Sequence, residues 1–518
     1  MSSLFTSSRS SSKTRWVPGH APSDSEADLL PKVNGVPARS GLWFTRRYTK
    51  LAVAFLIGLA LFWAVISLGT NYWRWRDAPV VSAVLPDPIV RMPPDYARFH
   101  EYELQTSEQN GDFADTKYMF FANHARNSGW GNVMQELLLQ ALLAHRMGRT
   151  FVYYNYTWRD DGSQISYFDD KPIPSTIPLS ALLQGPMLGA PSVTDPSAAR
   201  PFAVTEDYYR RVCPEGERKY IRTEEVSSRL GGKVPTAANM IEKWVEVFGD
   251  LPDKCVEIPH DAPSNFDIFI FGDASRLLDV WPVLSTSPIL QEFAWSPLVE
   301  LAFDQNREAF APTHVYVPPL GTQPLVAPAR GSGAPSPSAA RYAAIPGLLA
   351  FHIRRGDFAE HCANLARWGS AYVGHNAFPA LPDRFGYPPD TTDDERVALQ
   401  RPHCFPNMAR SCGGGGGARG GTGGGPAGAG GHVFMTNAPG EWVDELREAV
   451  RATGGWRTVA SSRELEVNWE QRFVKQAVDM LIGQRAEVFV GNGYSSLSGL
   501  VTMFRMANGI PPAQNRLL

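Results

Sequence analysis

The run Leu-Leu-Ala-Phe-His-Ile-Arg-Arg-Gly-Asp-Phe at Leu348–Phe358 constrains the architecture more than any other stretch of this chain. Its apolar residues through Phe351 and Ile353 predict a strand buried on both faces, the kind found in parallel sheets covered by helices. The strand passes directly into Arg354, Arg355, Gly356 and Asp357, which places two guanidinium groups at its carboxyl end. In an open α/β sheet ligands bind outside the carboxyl ends of the strands, so a guanidinium there is suited to a phosphate or carboxylate. An internal ion pair of Arg354 or Arg355 with Asp357 or a neighbouring carboxylate explains the same residues, and both readings stand at this point. The tripeptide Arg355-Gly356-Asp357 also spells an adhesion motif. That motif requires an exposed loop tip, and so apolar a run argues against one.

The length of 518 residues allows two or three domains, and a formal charge of −3 gives no basis for binding nucleic acid. Fourteen Trp and 27 Phe point to large packed cores or carbohydrate-facing surfaces, with cores as the main home. The five Cys, at 213, 255, 362, 404 and 412, contain no Cys-x-x-Cys pair, so neither a zinc site nor a redox motif is expected. In a luminal domain Cys213–Cys255 and one pair among the other three are candidate disulfides, with at least one thiol left over.

Residues 1–50 are rich in Ser, Pro and charge and read as a disordered tail. The uncharged run from Leu51 to Gly69 is long enough, at ~1.5 Å per residue, to cross a hydrocarbon core of ~30 Å, so a single transmembrane helix is expected there. Arg39, Arg46, Arg47 and Lys50 before it outweigh Arg74 and Arg76 after it, and Tyr72, Trp73 and Trp75 form an interfacial belt. This predicts a cytosolic tail and a luminal remainder. Residues 70–112, with Pro86, Pro88, Pro93 and Pro94, read as an extended stem.

Beyond the stem, Tyr118–Phe121 reads as a strand, Asn127–Asn132 as a Gly-containing turn, the following residues to about Met147 as a helix with a broad apolar face, and Thr150–Tyr154 as a second strand. This is a βαβ unit with a right-handed crossover. Asn155-Tyr156-Thr157 is a sequon, which makes Asn155 a glycosylation candidate in a luminal domain. Further strands are expected at Phe266–Phe271 and Thr313–Val317, and the Pro-, Gly- and Ala-rich stretch 318–346 suggests a linker between two halves. In the second half, strands are expected at His432–Met435 and Ala486–Gly491, with helices at about Glu441–Ala452 and Asn468–Gln484. The glycine run 413–431 lacks the sparse spacing and the lysine of a phosphate loop, so it reads as a flexible insertion.

Three blocks together resemble the GDP-fucose-dependent protein O-fucosyltransferases and related inverting fucosyltransferases. They are Gly129-Trp130-Gly131-Asn132 with Gly148-Arg149-Thr150; His352-Ile353-Arg354-Arg355-Gly356-Asp357-Phe358; and Val433–Asn437 with Phe489–Ser496. They occur in the family's order and at similar separations, and cover about a third of the chain, with nothing matched across 166–344. The resemblance implies an α/β, GT-B-like architecture: two Rossmann-like domains facing a cleft, preceded by the transmembrane helix. Residues 113–340 would form the acceptor side and 341–518 the nucleotide-sugar side, carrying the insertion 413–431.

On that footing the protein is a type II membrane enzyme of the Golgi or endoplasmic reticulum with a luminal catalytic part. It moves fucose from GDP-fucose to a hydroxyl of a protein or glycan acceptor. The donor site implied consists of His352, Arg354, Asp357, Asn437, Ser495, Ser496, Gly129 and Gly131, with Arg354 and Asn132 as the catalytic residues. Arg354 would face the diphosphate and His352 the nucleotide, while Ser495 and Ser496 would donate to phosphate oxygens. Asn132 would approach the sugar or acceptor. No cofactor and no metal are expected, since no Asp-x-Asp triplet follows the apolar run and a guanidinium with helix-terminal N–H groups can take up the leaving diphosphate's charge. Two departures accompany the resemblance. Asn437 stands where many relatives carry an Asp that pairs with guanine, and Asn127-Ser128-Gly129 lacks the Glu that some relatives use as a base. They keep open another nucleotide sugar as donor, or a non-catalytic glycan-binding role.

Overall fold

The structure is a computed structural model that describes residues 91–518 except 111–114, 169, 197, 199, 232–233, 267, 312–315, 328–332, 357, 409, 412–430 and 437–439. The expected tail, the apolar run Leu51–Gly69 and residues 70–90 of the stem lie outside the described residues. Among the described residues no helix is long and apolar enough to cross a membrane. The expected fold class is corrected accordingly: the described chain is an α/β fold built on parallel sheets, and a membrane helix is no part of it.

The first sheet contains β1 (Tyr118–Phe121), β2 (Thr150–Tyr153), β3 (Ala203–Thr205), β4 (Arg218–Tyr220) and β5 (Cys255–Ile258), in the order β3-β2-β1-β5-β4 and parallel throughout. The second contains β6 (Ile345–His352), β7 (Gly431–Thr436), β8 (Trp456–Ser461), β9 (Ala486–Gly491) and β10 (Asn515–Leu517), ordered β8-β7-β6-β9-β10 and again all parallel. Every residue of β1, β2 and β5 is buried, as strands covered on both faces must be. In the second sheet the sequence order reverses around β6, so the carboxyl ends of β6 and β9 lie side by side at a topological switch point.

Both sheets belong to one compact unit, Arg91–Leu518, with a core continuous from Tyr96 to Phe504. The helices that cover them include α1 (Ala97–Asn110), α2 (Trp130–Arg146), α3 (Ala237–Phe248), α4 (Pro297–Asn306), α5 (Phe358–Arg367), α6 (Asp393–Cys404), α7 (Gly440–Ala452), α8 (Lys475–Arg485) and α9 (Ser496–Ala507). The halves are locked by long-range contacts: Phe293 stacks on Phe504 at 4.2 Å, and the Trp295 indole N–H donates to Gln484 at 2.7 Å. Disulfides join Cys213 to Cys255, one of the candidate pairs, and Cys362 to Cys404.

Two expectations are corrected here. The stretch assigned to an extended stem includes α1, whose fully buried residues are the polar Glu103 and Ser107, with Phe99 and Leu104 only partly buried against the core. Glu103 accepts the Ser180 N–H at 2.7 Å, and the Ser107 hydroxyl accepts the Thr205 N–H at 2.9 Å. A helix whose buried face is polar carries no apolar period to read. Second, the apolar run at Phe266–Phe271 is helical from Ile268 to Gly272, because a short apolar run has the same pattern in a buried strand and a buried helix. The strand expected at Thr313–Val317 falls mostly outside the described residues, and Tyr316 and Val317 have no regular structure.

Candidate active site

The turn from β9 into α9 is short and closed on itself. The Asn492 side-chain oxygen accepts the Tyr494 N–H at 2.9 Å, and its amide donates to the Cys404 carbonyl at 2.8 Å. Asn376, buried in the turn Gly374–Ala377, donates its amide to the carbonyls of Gly493 and Ser495 at 3.1 and 3.0 Å. Gly493 is required by packing: a Cβ there would lie 2.2 Å from the Tyr372 ring. Ser495 occupies the N-cap of α9 but makes no side-chain cap bond, and no acid sits in the first turn. The N–H groups that open α9 therefore keep their uncompensated positive end.

The turn from β1 into α2 ends against that same place. Gly129 is the N-cap of α2, again without a side-chain cap bond and without an acid in the first turn. A Cβ on Gly131 would lie 2.7 Å from the Ser496 hydroxyl and 3.0 Å from the Leu497 nitrogen, so only glycine lets the two helix starts touch. The Asn132 amide donates to the Ser128 hydroxyl at 3.1 Å, while Asn127 adopts a left-handed φ of 55° and donates its N–H to the Thr157 carbonyl. Asn155 precedes this brace on the connection after β2, where the sequon hydroxyl of Thr157 bonds back to the Asn155 carbonyl at 3.2 Å.

His352 and Arg354 close the site from the end of β6. His352 is buried, its Nδ1 lies 2.7 Å from the Ser498 hydroxyl, and its Nε2 has no partner among the described residues. Burial, with help from the charge of Arg354, pushes the imidazole down to about 3, so the ring is neutral at any physiological pH. Arg354 is half-buried, with its guanidinium 5.3 Å from the Phe358 ring centroid. Arg355 points elsewhere: it is stacked between Phe405 and Trp442, at 4.2 and 4.3 Å, and donates to the Pro406 carbonyl. Two aromatic faces and a carbonyl hold the second arginine, so one of the two cations is structural by stacking.

The structure thus brings Gly129, Gly131, Asn132, His352, Ser495 and Ser496 onto one pair of helix starts, with Arg354 two residues beyond His352. Asp357 and Asn437 lie outside the described residues, as does the glycine run up to residue 430. No family model and no curated protein matches the chain. Among solved structures it is similar to POFUT1 in complex with GDP, at 14% identity over 77% of this chain and 97% of that one, with a TM-score of 0.43. It is also similar to POFUT1 with GDP-fucose (15% identity, 76% and 95% covered, TM-score 0.41) and to the fucosyltransferase NodZ from Bradyrhizobium (13%, 76% and 93%, 0.34).

Three residues escaped the sequence reading. Asn376 acts through partners more than a hundred residues away, and Ser498 joins the nearby Asn492 to the distant His352, so nothing local announces them. Glu136 was legible in principle, since an acid on the apolar face of α2 needs a reason to be there. Its carboxylate accepts the Ala125 N–H at 2.5 Å and the Ser264 hydroxyl at 2.8 Å, tying the loop after β1 to the loop after β5. Desolvation raises it to about 7 despite those two hydrogen bonds. Among the described residues no group of three His, Cys, Asp or Glu is placed to hold a metal ion.

Proposed function

We propose that the protein is a glycosyltransferase that moves fucose from GDP-fucose to a hydroxyl of a protein or glycan, with inversion at the sugar carbon. One observation carries this reading: two helix N-termini, neither capped by a side chain nor neutralised by an acid, meet at Gly131 and Ser496 beside His352, with Arg354 two residues further along the chain. Such an arrangement is suited to a diphosphate, which gains negative charge as the sugar–phosphate bond breaks. The N–H groups of α9, the Ser495 and Ser496 hydroxyls and the Arg354 guanidinium take up that charge from fixed positions, so the chain's own donors supply the leaving-group stabilisation. His352, neutral, contributes hydrogen bonding to the nucleotide rather than charge. The acceptor hydroxyl attacks from the opposite face, approached from the side of Asn132.

A thermal-shift panel of GDP, UDP, ADP and their sugar conjugates, followed by an assay of GDP release from GDP-fucose, tests the reading. Stabilisation by GDP above the other nucleotides, with GDP released on incubation with GDP-fucose, is the expected result. Stronger stabilisation by UDP would reassign the donor, binding without release would leave a glycan- or nucleotide-binding protein, and no stabilisation by any diphosphate would end the proposal.

A further inference from the structure

We infer that Ser498 is a positioning residue of the donor site: its hydroxyl holds the neutral His352 ring in the tautomer that carries its proton on Nε2, and in doing so fixes the first turn of α9 against the end of β6. The inference rests on the donor-site reading above. The hydrogen-bond accounting is closed among the described residues. Ser498 Oγ has two polar neighbours, the Asn492 N–H at 2.9 Å and His352 Nδ1 at 2.7 Å. The Asn492 N–H can only donate, so the hydroxyl's single proton has one acceptor, Nδ1. An accepting Nδ1 on a neutral ring leaves the proton on Nε2, the atom with no protein partner.

All three groups are buried, with Ser498 and Asn492 fully so and His352 at 1% exposure, so none can exchange its bond for one to water. The packing leaves no slack either: a Cβ on Gly491 would sit 3.0 Å from both Cβ and Oγ of Ser498. One hydroxyl therefore joins the strand that carries Arg354, the turn after β9 and the helix start that faces Gly131. An orphaned buried N–H costs stability unless something bonds it.

The test uses the full chain labelled with 15N-histidine, with Ser498→Ala, Ser498→Cys and Ser498→Thr variants. In the unsubstituted protein the 15N shifts of His352 should show Nδ1 unprotonated and Nε2 protonated. Ser498→Ala should lose that signature and weaken GDP binding about tenfold, the scale of one lost hydrogen bond. Ser498→Cys keeps the volume but is a poor donor, so it should behave like Ser498→Ala if that variant fails to fold. Ser498→Thr, which keeps the hydroxyl, should restore both the signature and the affinity. A cysteine variant with unchanged tautomer and unchanged GDP affinity would overturn the inference. If the unsubstituted protein binds no GDP, the donor-site reading fails, and the tautomer comparison alone still decides whether Ser498 sets the ring.

Discussion

The two turns that carry the chain from a central strand into α2 and into α9 end in contact, yet they are built on opposite plans. After β9 the path from Gly491 to Ser495 is short and buried throughout, and its polar groups are bonded by Asn376, Asn492 and Ser498. After β1 the path from Phe121 to Trp130 is longer, surfaces at Asn127 and Gly129, and is held from outside by Glu136, the Pro263 carbonyl and the Tyr156 hydroxyl. A loop that must meet the same diphosphate at every turnover gains from being set in place before binding. A loop on the acceptor side can be longer and more exposed, provided a rigid scaffold carries it.

The comparison breaks most sharply at Arg354. Removing a preorganised donor to a developing charge typically costs about 10²–10³ in rate, so Arg354→Ala should lower GDP release from GDP-fucose by at least that order in a protein that still folds. Lysine should substitute poorly, since an ammonium cannot grip two oxygens at once. Near-normal release from the alanine variant would remove the donor site from the end of β6.

Next come the glycines where the two turns differ. Gly131→Ala drives a Cβ into Ser496 and Leu497, and overpacking of this kind costs about 1–3 kcal/mol, to be read as weaker GDP binding as the helix starts part. Gly129→Ala meets nothing within 4 Å at a φ of −60° that alanine adopts freely, so it should change stability by less than about 0.5 kcal/mol. Equal effects from the two, measured by calorimetry with GDP, would contradict the claimed contact.

Arg355→Ala should be milder still, and different in kind. Loss of two aromatic stacks at about 0.5–1 kcal/mol each should lower the melting temperature while leaving activity per folded molecule nearly intact. An activity loss matching that of Arg354→Ala would place both arginines on the ligand.

The smallest effect separates the turns by pH. Glu136 is raised to about 7 from an ordinary 4.5, so the folded chain holds a proton that the unfolded chain releases; the stability this contributes is full below 4.5 and is lost as pH rises through 7. His352 is lowered to about 3 from 6.5, so its contribution is full above 6.5 and is lost as pH falls towards 3. The turn after β1 should thus loosen towards alkali and the turn after β9 towards acid. In denaturant titrations, Glu136→Gln should flatten the decline between pH 4.5 and 7 and leave the acid limb unchanged. An unaltered profile would mean that Glu136 does not hold its proton in the folded state.

What the sequence by itself determined was local. The buried strands at Tyr118–Phe121, Thr150–Tyr153 and Ile345–His352 and the helix after the first of them could be read, because their signals lie in runs of adjacent residues, whereas the helices Phe358–Arg367 and Asp393–Cys404 lie in a Pro-rich stretch that reads as irregular, and Cys213–Cys255 was only one candidate pairing. The polar docking of α1 and the strands β3, β5, β8 and β10 could not, since their residues alternate too briefly or bury the wrong kind of side chain for a pattern to stand out. Only the tertiary structure decided which arginine is stacked, that Gly131 lies on Ser496, and that Ser498 reaches His352 across 146 residues of sequence. Each of these is a contact between segments with no sequence relation, and hydrogen bonds and close packing depend on where atoms meet in space rather than on the order in which the chain presents them.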